Sequence, residues 1–447
     1  MSEKPQIKEG GLDAPTRYPV KWKKEEFTNE EEFLKEAERV FDVCHGCRRC
    51  VSLCESFPTL FDLIDESKTL EVDGVEKNDF QKVVDECYMC DLCYQTKCPY
   101  VPPHEWAIDF PHLMLRGKTI AHKKKRKSIL KRLRDKALTS TDSLGHILKI
   151  PLIDVTYRKL SKNKFLRKTT SHLTGIHELA PLPDFEKTRD YVTNSELIPE
   201  EAGTTRGKVA IFEGCYCRNY KPSLVEDLIK VLEHNEILVK VISEEKCCGM
   251  PKFDLGDLDA VEKLMKFNAP LLEKEINLGF DIISLVPSCV LMFKQELPLL
   301  FDENESLKNI KRHIYDPFEY LSKRDADGKL KKDFKSSLGK IAYQIACHQR
   351  VQNIGPKTKE VLEMIPSTEV NTIERCSGHD GTYAVKKETY ENSIKIARPV
   401  ARKADEFSAD YLTSDCPLAA SQIEHVASKD FLNGHPISLL KKAYNLK

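Results

Sequence analysis

Residues 44–54 read CHGCRRCVSLC and residues 87–99 read CYMCDLCYQTKCP. Cys44, Cys47, Cys50 and Cys54 form a CxxCxxCxxxC run. Cys87, Cys90, Cys93 and Cys98 form a CxxCxxCxxxxC run, with Pro99 directly behind it. Three thiolates at three-residue spacing wrap one corner of an iron–sulfur cube, and a more distant fourth closes it. A pair of zinc knuckles is the simpler alternative, but zinc is commonly served by two CxxC pairs in tetrahedral array. The third thiolate in each run favours a cubane with one cysteine per iron. Two runs in one chain predict two 4Fe-4S clusters close enough to exchange electrons.

The residues leading into each run predict helices. Thr28 is read as a helix start with Glu31 as its capping-box partner. Phe33, Ala37, Val40, Phe41 and Cys44 then share a face. Asn78 is read as the cap of a second helix in which Phe80, Val83, Val84 and Cys87 share a face. The 32 residues between Cys54 and Cys87 also exceed what a compact β-rich arrangement allows. Residues 28–118 therefore read as an all-α, ferredoxin-type domain with two 4Fe-4S clusters, behind a loose polar arm at 1–27. The spacing resembles that of bacterial ferredoxins, in which the fourth cysteine of each run serves the other cluster. That resemblance implies one set of Cys44, Cys47, Cys50 and Cys98, and another of Cys87, Cys90, Cys93 and Cys54. Two departures are visible: proline follows the first run only at Pro58, and Cys98 comes one residue late.

Charge is balanced overall, with 70 basic and 70 acidic residues, but it is unevenly placed. Residues 111–170 hold 18 Lys and Arg against three Asp. Residues 119–206 read as a basic, partly helical connector and linker, in which Ile129, Leu130, Leu133, Ala137 and Leu138 fall on one helical face. The plain reading is a solvated helix face. The functional one is docking on an anionic membrane surface or an acidic partner. Nucleic acid is not expected, since interleaved aromatics and a recognition motif are both missing.

From Lys208 the pattern turns to strand and helix, twice over. VAIFEG (209–214), ILVKVI (237–242) and DIISLV (281–286) read as strands ending before Cys215, Cys247-Cys248-Gly249 and Cys289. KIAYQIA (340–346), a strand near 368–373 and YLTS (411–414) end before Cys347, Cys376-Ser377-Gly378 and Cys416. Cys215 and Cys347 are 132 residues apart, Cys248 and Cys376 128, and Cys289 and Cys416 127. The internal repeat predicts two parallel βαβ domains, at 207–330 and 338–447. Ligands gather at the carboxyl ends of parallel strands, so three thiols from separate strand ends are brought to one point in each.

The Cys-Cys-Gly turn resembles the CCG domain in the CCG-bearing subunit of heterodisulfide reductase and its relatives, which holds an iron–sulfur cluster. Here Val286 stands where that motif has a further cysteine, which leaves Cys215, Cys247, Cys248 and Cys289, with Cys217 as a spare thiol. The resemblance implies a third iron–sulfur cluster in repeat one; zinc or inert buried cysteines are the alternatives. In repeat two Ser377 replaces the second cysteine of the pair, so Cys347, Cys376 and Cys416 form either an open-shell site, with His348 and His379 nearby, or a decayed repeat. GCYC, KCCGMP, PSCVLMFKQE, ACHQR, RCSGHDGTYAVKKETYE and DCPLAA together look like the iron–sulfur subunit family of anaerobic glycerol-3-phosphate dehydrogenase and of glycolate and lactate oxidation. That resemblance implies a peripheral subunit that takes electrons from a flavin dehydrogenase and passes them towards membrane quinone. Similar proteins also accompany rubrerythrin, which is an alternative partner. A second function class is a heterodisulfide or thiol reductase acting through Cys247 and Cys248. A third is a zinc-stabilised scaffold.

Composition sets the remaining bounds. No apolar run reaches the ~20 residues that span a bilayer, and the polar N-terminus lacks a secretory pattern. A cytoplasmic protein, peripheral on the inner face of the membrane at most, is expected. In a reducing compartment 16 grouped cysteines point to metal rather than disulfides. No GxGxxG follows a strand, so no flavin or nicotinamide is expected on this chain.

Overall fold

The computed structural model describes residues 15–148, 163–183, 185–186 and 190–447. The first 14 residues of the expected arm, and residues 149–162 of the expected connector, lie outside the described residues. The chain divides into two units. One is Met1–Ser128 with Lys252–Leu258 and Pro298–Glu303; the other is Ile129–Pro251 with Asp259–Leu297 and Asn304–Lys447.

Among the described residues of the first unit every regular element is helical. The helix Glu30–Cys47 buries Phe33, Ala37, Val40 and Phe41, the face read from the sequence. Its cap is Asn29 rather than Thr28. The Asn29 side chain accepts from the amides of Glu31 (3.0 Å) and Glu32 (3.2 Å), while Thr28 closes a short helix, Glu25–Thr28. Asn78 caps nothing. It lies in a 3-10 turn, and the helix Phe80–Asp85 that follows has no side-chain cap. The Phe41 ring meets Phe80 edge-on at 4.9 Å, and Phe57 stacks on Phe110 at 4.6 Å, which ties the helix Phe110–Lys123 to the two cysteine-bearing segments. The arm is not loose from Arg17 onward. Val20 and Trp22 are buried, and the Trp22 indole donates to the Leu300 carbonyl at 3.2 Å. Two apolar anchors in a lysine-rich stretch are enough to pin it, because burying a large side chain contributes about 2 kcal/mol.

In the second unit the helix Ile129–Thr139 forms where its periodicity predicts, but with the opposite face buried. Ile129, Leu130 and Leu133 are 71, 72 and 59% exposed, whereas Arg134, Asp135 and Thr139 are buried. The Arg134 guanidinium explains the inversion. It forks onto Glu388 (2.8 Å from each of two nitrogens) and onto Asp135 (3.0 and 3.1 Å), and also reaches the Gly175 carbonyl. A charge that gains this many hydrogen bonds outweighs a stripe of three aliphatic side chains.

Two four-stranded parallel sheets follow. β1 (Lys208–Ile211), β2 (Leu238–Val241), β3 (Asp281–Ile283) and β4 (Ile314–Tyr315) take the order β2-β1-β3-β4. β5 (Gly339–Gln344), β6 (Thr368–Ile373), β7 (Tyr411–Ser414) and β8 (Leu432–Asn433) take the order β6-β5-β7-β8. All pairings are parallel, with Lys208 opposite Leu238 and Gly339 opposite Thr368. The duplicated parallel α/β architecture is as expected. β4 and β8 were not, because two-residue strands carry no readable alternation. β1 and β3 also stop short of the predicted ends. The chain turns into helix at Gly214 and at Pro287, which carries the cysteines on helical first turns rather than on strand tips.

One apolar core runs through both repeats, from Val209 and Ile211 through Phe318 and Leu321 to Ile341, Leu362 and Leu440. A buried polar chain crosses it. Tyr343 donates to Asp415 at 2.5 Å, Thr358 donates to Asp415 at 3.0 Å, and Gln349 donates to Asp316 at 3.2 Å. Burial and the neighbouring Asp415 push the Asp316 carboxyl up, and burial pushes Asp415 up. The native state therefore holds a proton that the unfolded chain releases near pH ~4. The stability this contributes is complete below that value and is lost as pH rises towards the raised native pKa, at up to about 1.4 kcal/mol per pH unit. Melting temperatures from pH 5 to 9 are expected to decline in the native chain, and Asp316→Asn is expected to flatten that slope, whatever its absolute stability. An unchanged slope would contradict the assignment. No helix among the described residues is long and apolar enough to cross a membrane.

Candidate functional site

The first candidate site is built where two helices end. Cys44 and Cys47 sit on the last turn of Glu30–Cys47, and Arg48 breaks that helix in the left-handed region (φ 50°) so that the chain doubles back to Cys50. The second run reaches the same place from the other side. Cys98 follows the short helix Leu92–Thr96, its amide held by the Cys93 carbonyl at 2.9 Å. Cys44, Cys47, Cys50 and Cys98 together line a cavity of ≈ 320 Å³, counting space open to solvent. Phe57, Phe61 and Ile108 form its apolar wall, with Arg48, Arg49 and Lys97 also on its lining.

Electrostatics connect the same groups. Burial, then the neighbouring Cys98, Cys50 and Cys47, raise the Cys44 thiol. Burial and the thiols of Cys98 and Cys47 push Cys50 up to about 12, against the opposing charges of Lys97 and Arg49. Cys98 is pushed up to about 11, chiefly by burial. The Cys93 thiol is raised by burial and then by Cys50, Cys90, Cys87 and Cys54, so thiols of both runs lie near it. Cys44, Cys50 and Cys98 thus resist ionisation unless a cationic core enters with them.

A feature with no sequence signal steadies the second run. Between Cys87 and Cys93 the backbone passes twice through the left-handed region, at Met89 and Asp91. Asp91 is held by Arg17, at 2.5 and 3.0 Å from two guanidinium nitrogens. The same guanidinium binds Asp109 at 2.8 and 3.1 Å and lies over the Tyr94 ring at 4.7 Å. Burial opposes ionisation of Asp109, but the charges of Arg17 and His112 hold its carboxyl far below the usual carboxylate range.

In the second unit, repeat one gathers thiols from three strand ends. Cys215 lies on the first turn after β1, Cys247 and Cys248 lie in the turn after β2, and Cys289 lies on the first turn after β3. Sulfurs are in hydrogen-bonding contact in the order Cys215, Cys247, Cys248, Cys289. Gly214 makes the closure possible, because a Cβ there would lie 3.0 Å from the Cys289 sulfur. Contacts from Cys215 and Cys248, with the Gly249 amide and Thr141, draw the Cys247 thiol well below its ordinary range, while Cys215 and Cys248 are raised. The Cys247 amide donates to Asp142 at 2.9 Å, and Asn268 holds the Cys247 carbonyl at 3.1 Å. The approach of Thr141 and Asp142 could not be read from the sequence. Cys217 is fully buried in the apolar core and packs as a small apolar side chain.

Repeat two places Cys347 after β5, Cys376 after β6 and Cys416 after β7. Contact with Cys347 and a 3.3 Å hydrogen bond from the Gly378 amide lower the Cys376 thiol. Gly378 (φ 73°) is required here, since a Cβ would fall 2.2 Å from the Ser393 carbonyl oxygen. Cys416 is raised by burial, against the amides of Ala419 and Leu418. His379 is 7% exposed, and burial pushes it down to about 4. Among the described residues neither of its ring nitrogens has a hydrogen-bond partner. The two repeats meet close to their cysteines, where Ser288, beside Cys289, lies 2.7 Å from Nδ1 of His348, beside Cys347.

The cysteine-rich CCG domain profile matches residues 209–294 and 341–424, the two sheets with their strand-end thiols. The chain carries two copies of the cysteine-rich CCG domain. The anaerobic glycerol-3-phosphate dehydrogenase subunit designated C, of Escherichia coli K12, is 32% identical over 240 residues, covering 53% of this chain and 59% of that protein. The fumarate reductase (CoM/CoB) subunit designated B, of Methanothermobacter marburgensis, is 26% identical over 256 residues, covering 55% of this chain and 48% of that protein. An uncharacterized iron-sulfur protein of Methanococcus maripaludis is 24% identical over 422 residues, covering 89% of this chain and 72% of that protein. The chain thus spans about half of one and three fifths of the other of the first two relatives. By name, these relatives are a dehydrogenase subunit, a reductase subunit and an iron-sulfur protein.

Proposed function

We propose that this chain is the iron–sulfur electron-transfer subunit of a respiratory-type oxidoreductase. The observation that carries the reading is the cavity shared by Cys44, Cys47 and Cys50 with Cys98, a residue of the other run. The second site would then be held by Cys87, Cys90, Cys93 and Cys54. Three thiols at three-residue spacing with a fourth from the other run suit a cube with one thiolate per iron better than a tetrahedral zinc ion. Bound in these sites, 4Fe-4S clusters supply one-electron chemistry. The chain's own residues do the rest: the thiolates fix position, the phenylalanine wall limits water, and Arg17 fixes the loop between Cys90 and Cys93.

A third centre belongs in repeat one on Cys215, Cys247, Cys248 and Cys289. In repeat two, Cys347, Cys376 and Cys416 offer three sulfurs, with the unpartnered nitrogens of His379 on the same turn as Cys376. The electron donor would be a flavin dehydrogenase subunit of the glycerol-3-phosphate or hydroxy-acid type, and the acceptor membrane quinone. A rubrerythrin-type protein is the other candidate partner. The exposed Ile129, Leu130 and Leu133, on a helix with Lys131, Arg132 and Lys136, suit a peripheral position on an anionic membrane.

The test is anaerobic purification with iron and sulfide analysis and EPR of the reduced chain. About eight irons or more and a reduced-cluster signal are expected; stoichiometric zinc in a colourless protein would end the proposal. One observation favours a second reading, a heterodisulfide or thiol reductase: the lowered Cys247 thiol in contact with Cys248. Under that reading, replacing both by Ser abolishes disulfide reduction while leaving the N-terminal clusters intact. A native chain that reduces no disulfide under strong reductant removes it.

A further inference from the structure

Two cations flank the cavity of Cys44, Cys47, Cys50 and Cys98 without serving the fold. Arg49 and Lys97 both line it and both are exposed. Among the described residues neither side chain makes a hydrogen bond or an ion pair. The other charged groups nearby are engaged: Arg48 pairs with Asp65 at 3.0 Å and Asp109 with Arg17 at 2.8 Å. Arg49 and Lys97 come from different runs, one before Cys50 and one before Cys98, so the opening carries a positive charge from each contributing segment. Val51, 48% exposed, adds an apolar contact beside Arg49. The second set is the more enclosed, since Cys87 and Cys93 are buried and only Cys54 and Cys90 partly exposed, whereas Cys44, Cys47, Cys50 and Cys98 are each partly exposed. A free, desolvated pair of cations would be costly, but exposed cations cost nothing and cast their field outward, where they steer an oppositely charged partner.

We infer that the Arg49–Lys97 rim is the docking surface for a soluble one-electron carrier protein whose contact face is rich in carboxylates. The inference rests on the cluster reading above and names the partner chemistry for its first site. One electron leaves the reduced centre held by Cys44, Cys47, Cys50 and Cys98 and enters the oxidised carrier, which takes the place of the rubrerythrin-type partner above; no proton or atom is transferred. A carboxylate face gives the encounter its orientation, and Val51 supplies the apolar contact that a short-lived redox complex needs.

The test uses the full metal-loaded chain and small probes of defined charge. The reduced chain is mixed in a stopped-flow instrument with the anionic oxidant Co(III)–EDTA and with the cationic oxidant Co(III)–tris(phenanthroline). The anion is expected to lose about tenfold in rate in the double variant Arg49→Glu/Lys97→Glu, and raised salt is expected to slow it in the native chain only. A redox-inert readout accompanies this: anionic Dy(III)–EDTA should raise the EPR half-saturation power of the reduced cluster more than an uncharged Dy(III) chelate, and the excess should vanish in the double variant. Intact EPR signals with equal responses to anion and neutral probe would overturn the inference, while absent signals would overturn the cluster reading instead. Binding of the native chain, but not the double variant, to phosphatidylglycerol vesicles would assign the rim to lipid and also overturn it. Should the double variant fail to fold, Arg49→Gln and Lys97→Gln singly are expected to show about half the effect on a logarithmic scale.

Discussion

Cys98→Ser is expected to remove the cluster of the first cysteine run while sparing that of its own run. Cys98 lines one cavity with Cys44, Cys47 and Cys50, and the Cys44 and Cys50 thiols both respond to it. Iron from the two N-terminal sites should fall from about eight to about four atoms per chain, with sulfide in parallel. Combination decides which site was lost. Cys44→Ser added to Cys98→Ser should cost nothing more, because both remove ligands from one site. Cys87→Ser added to Cys98→Ser should empty both. The opposite pattern, with Cys98 and Cys87 acting as one unit, would show that each run holds its own cluster and that the shared cavity misleads.

Arg17→Met is expected to destabilise the N-terminal unit by about 3–5 kcal/mol, the usual cost of leaving buried charges without their partner. Arg17 and Asp91 have side chains 6% and 3% exposed, and Asp109 would lose the same cation. The pH dependence gives the loss its signature. In the native chain the Asp109 carboxyl lies below its unfolded value, so the stability it contributes is present above pH ~4 and is lost as pH falls towards the lowered native pKa. Without Arg17 that contribution is gone, and unpaired Asp91 and Asp109 favour protonation. The difference in melting temperature between native and variant chains should therefore be largest near neutrality and shrink towards pH 4. A difference that is constant with pH would point to lost packing against Tyr94 instead. Because Asp91 stands between Cys90 and Cys93, the variant should also broaden or shift the EPR spectrum of the second cluster; a bystander arginine would not.

What the sequence disclosed, it disclosed through spacing. The face Phe33, Ala37, Val40 and Phe41 and the face Phe80, Val83 and Val84 are buried as read, because a helix repeats its burial every few residues and short windows suffice. The strands near 368–373 and 411–414 coincide with β6 and β7, since apolar runs flanked by turns admit few other conformations. The 127- to 132-residue repeat of the cysteines likewise anticipated two parallel sheets with sulfur at their strand ends.

What stayed hidden depends on partners far away in the chain. The burial of Arg134 is explained by Glu388, 254 residues later, and nothing local to Ile129–Thr139 announces it. The role of Arg17 depends on Asp91 and Asp109, and that of Asp142 on Cys247, 105 residues away. Single ion pairs leave no periodic trace. In repeat two the exchange of cysteine for Ser377 was visible, but the isolation of the His379 ring nitrogens was not, because it is a property of packing around one side chain.

Mössbauer spectroscopy of the chain grown on ⁵⁷Fe and isolated without air tests the central claim most directly. At least about eight irons per chain are expected in the valence-delocalised sites of 4Fe-4S cubes, with half of the N-terminal signal removed by Cys98→Ser. A chain holding zinc instead, or iron only as isolated tetrathiolate ions, would contradict it.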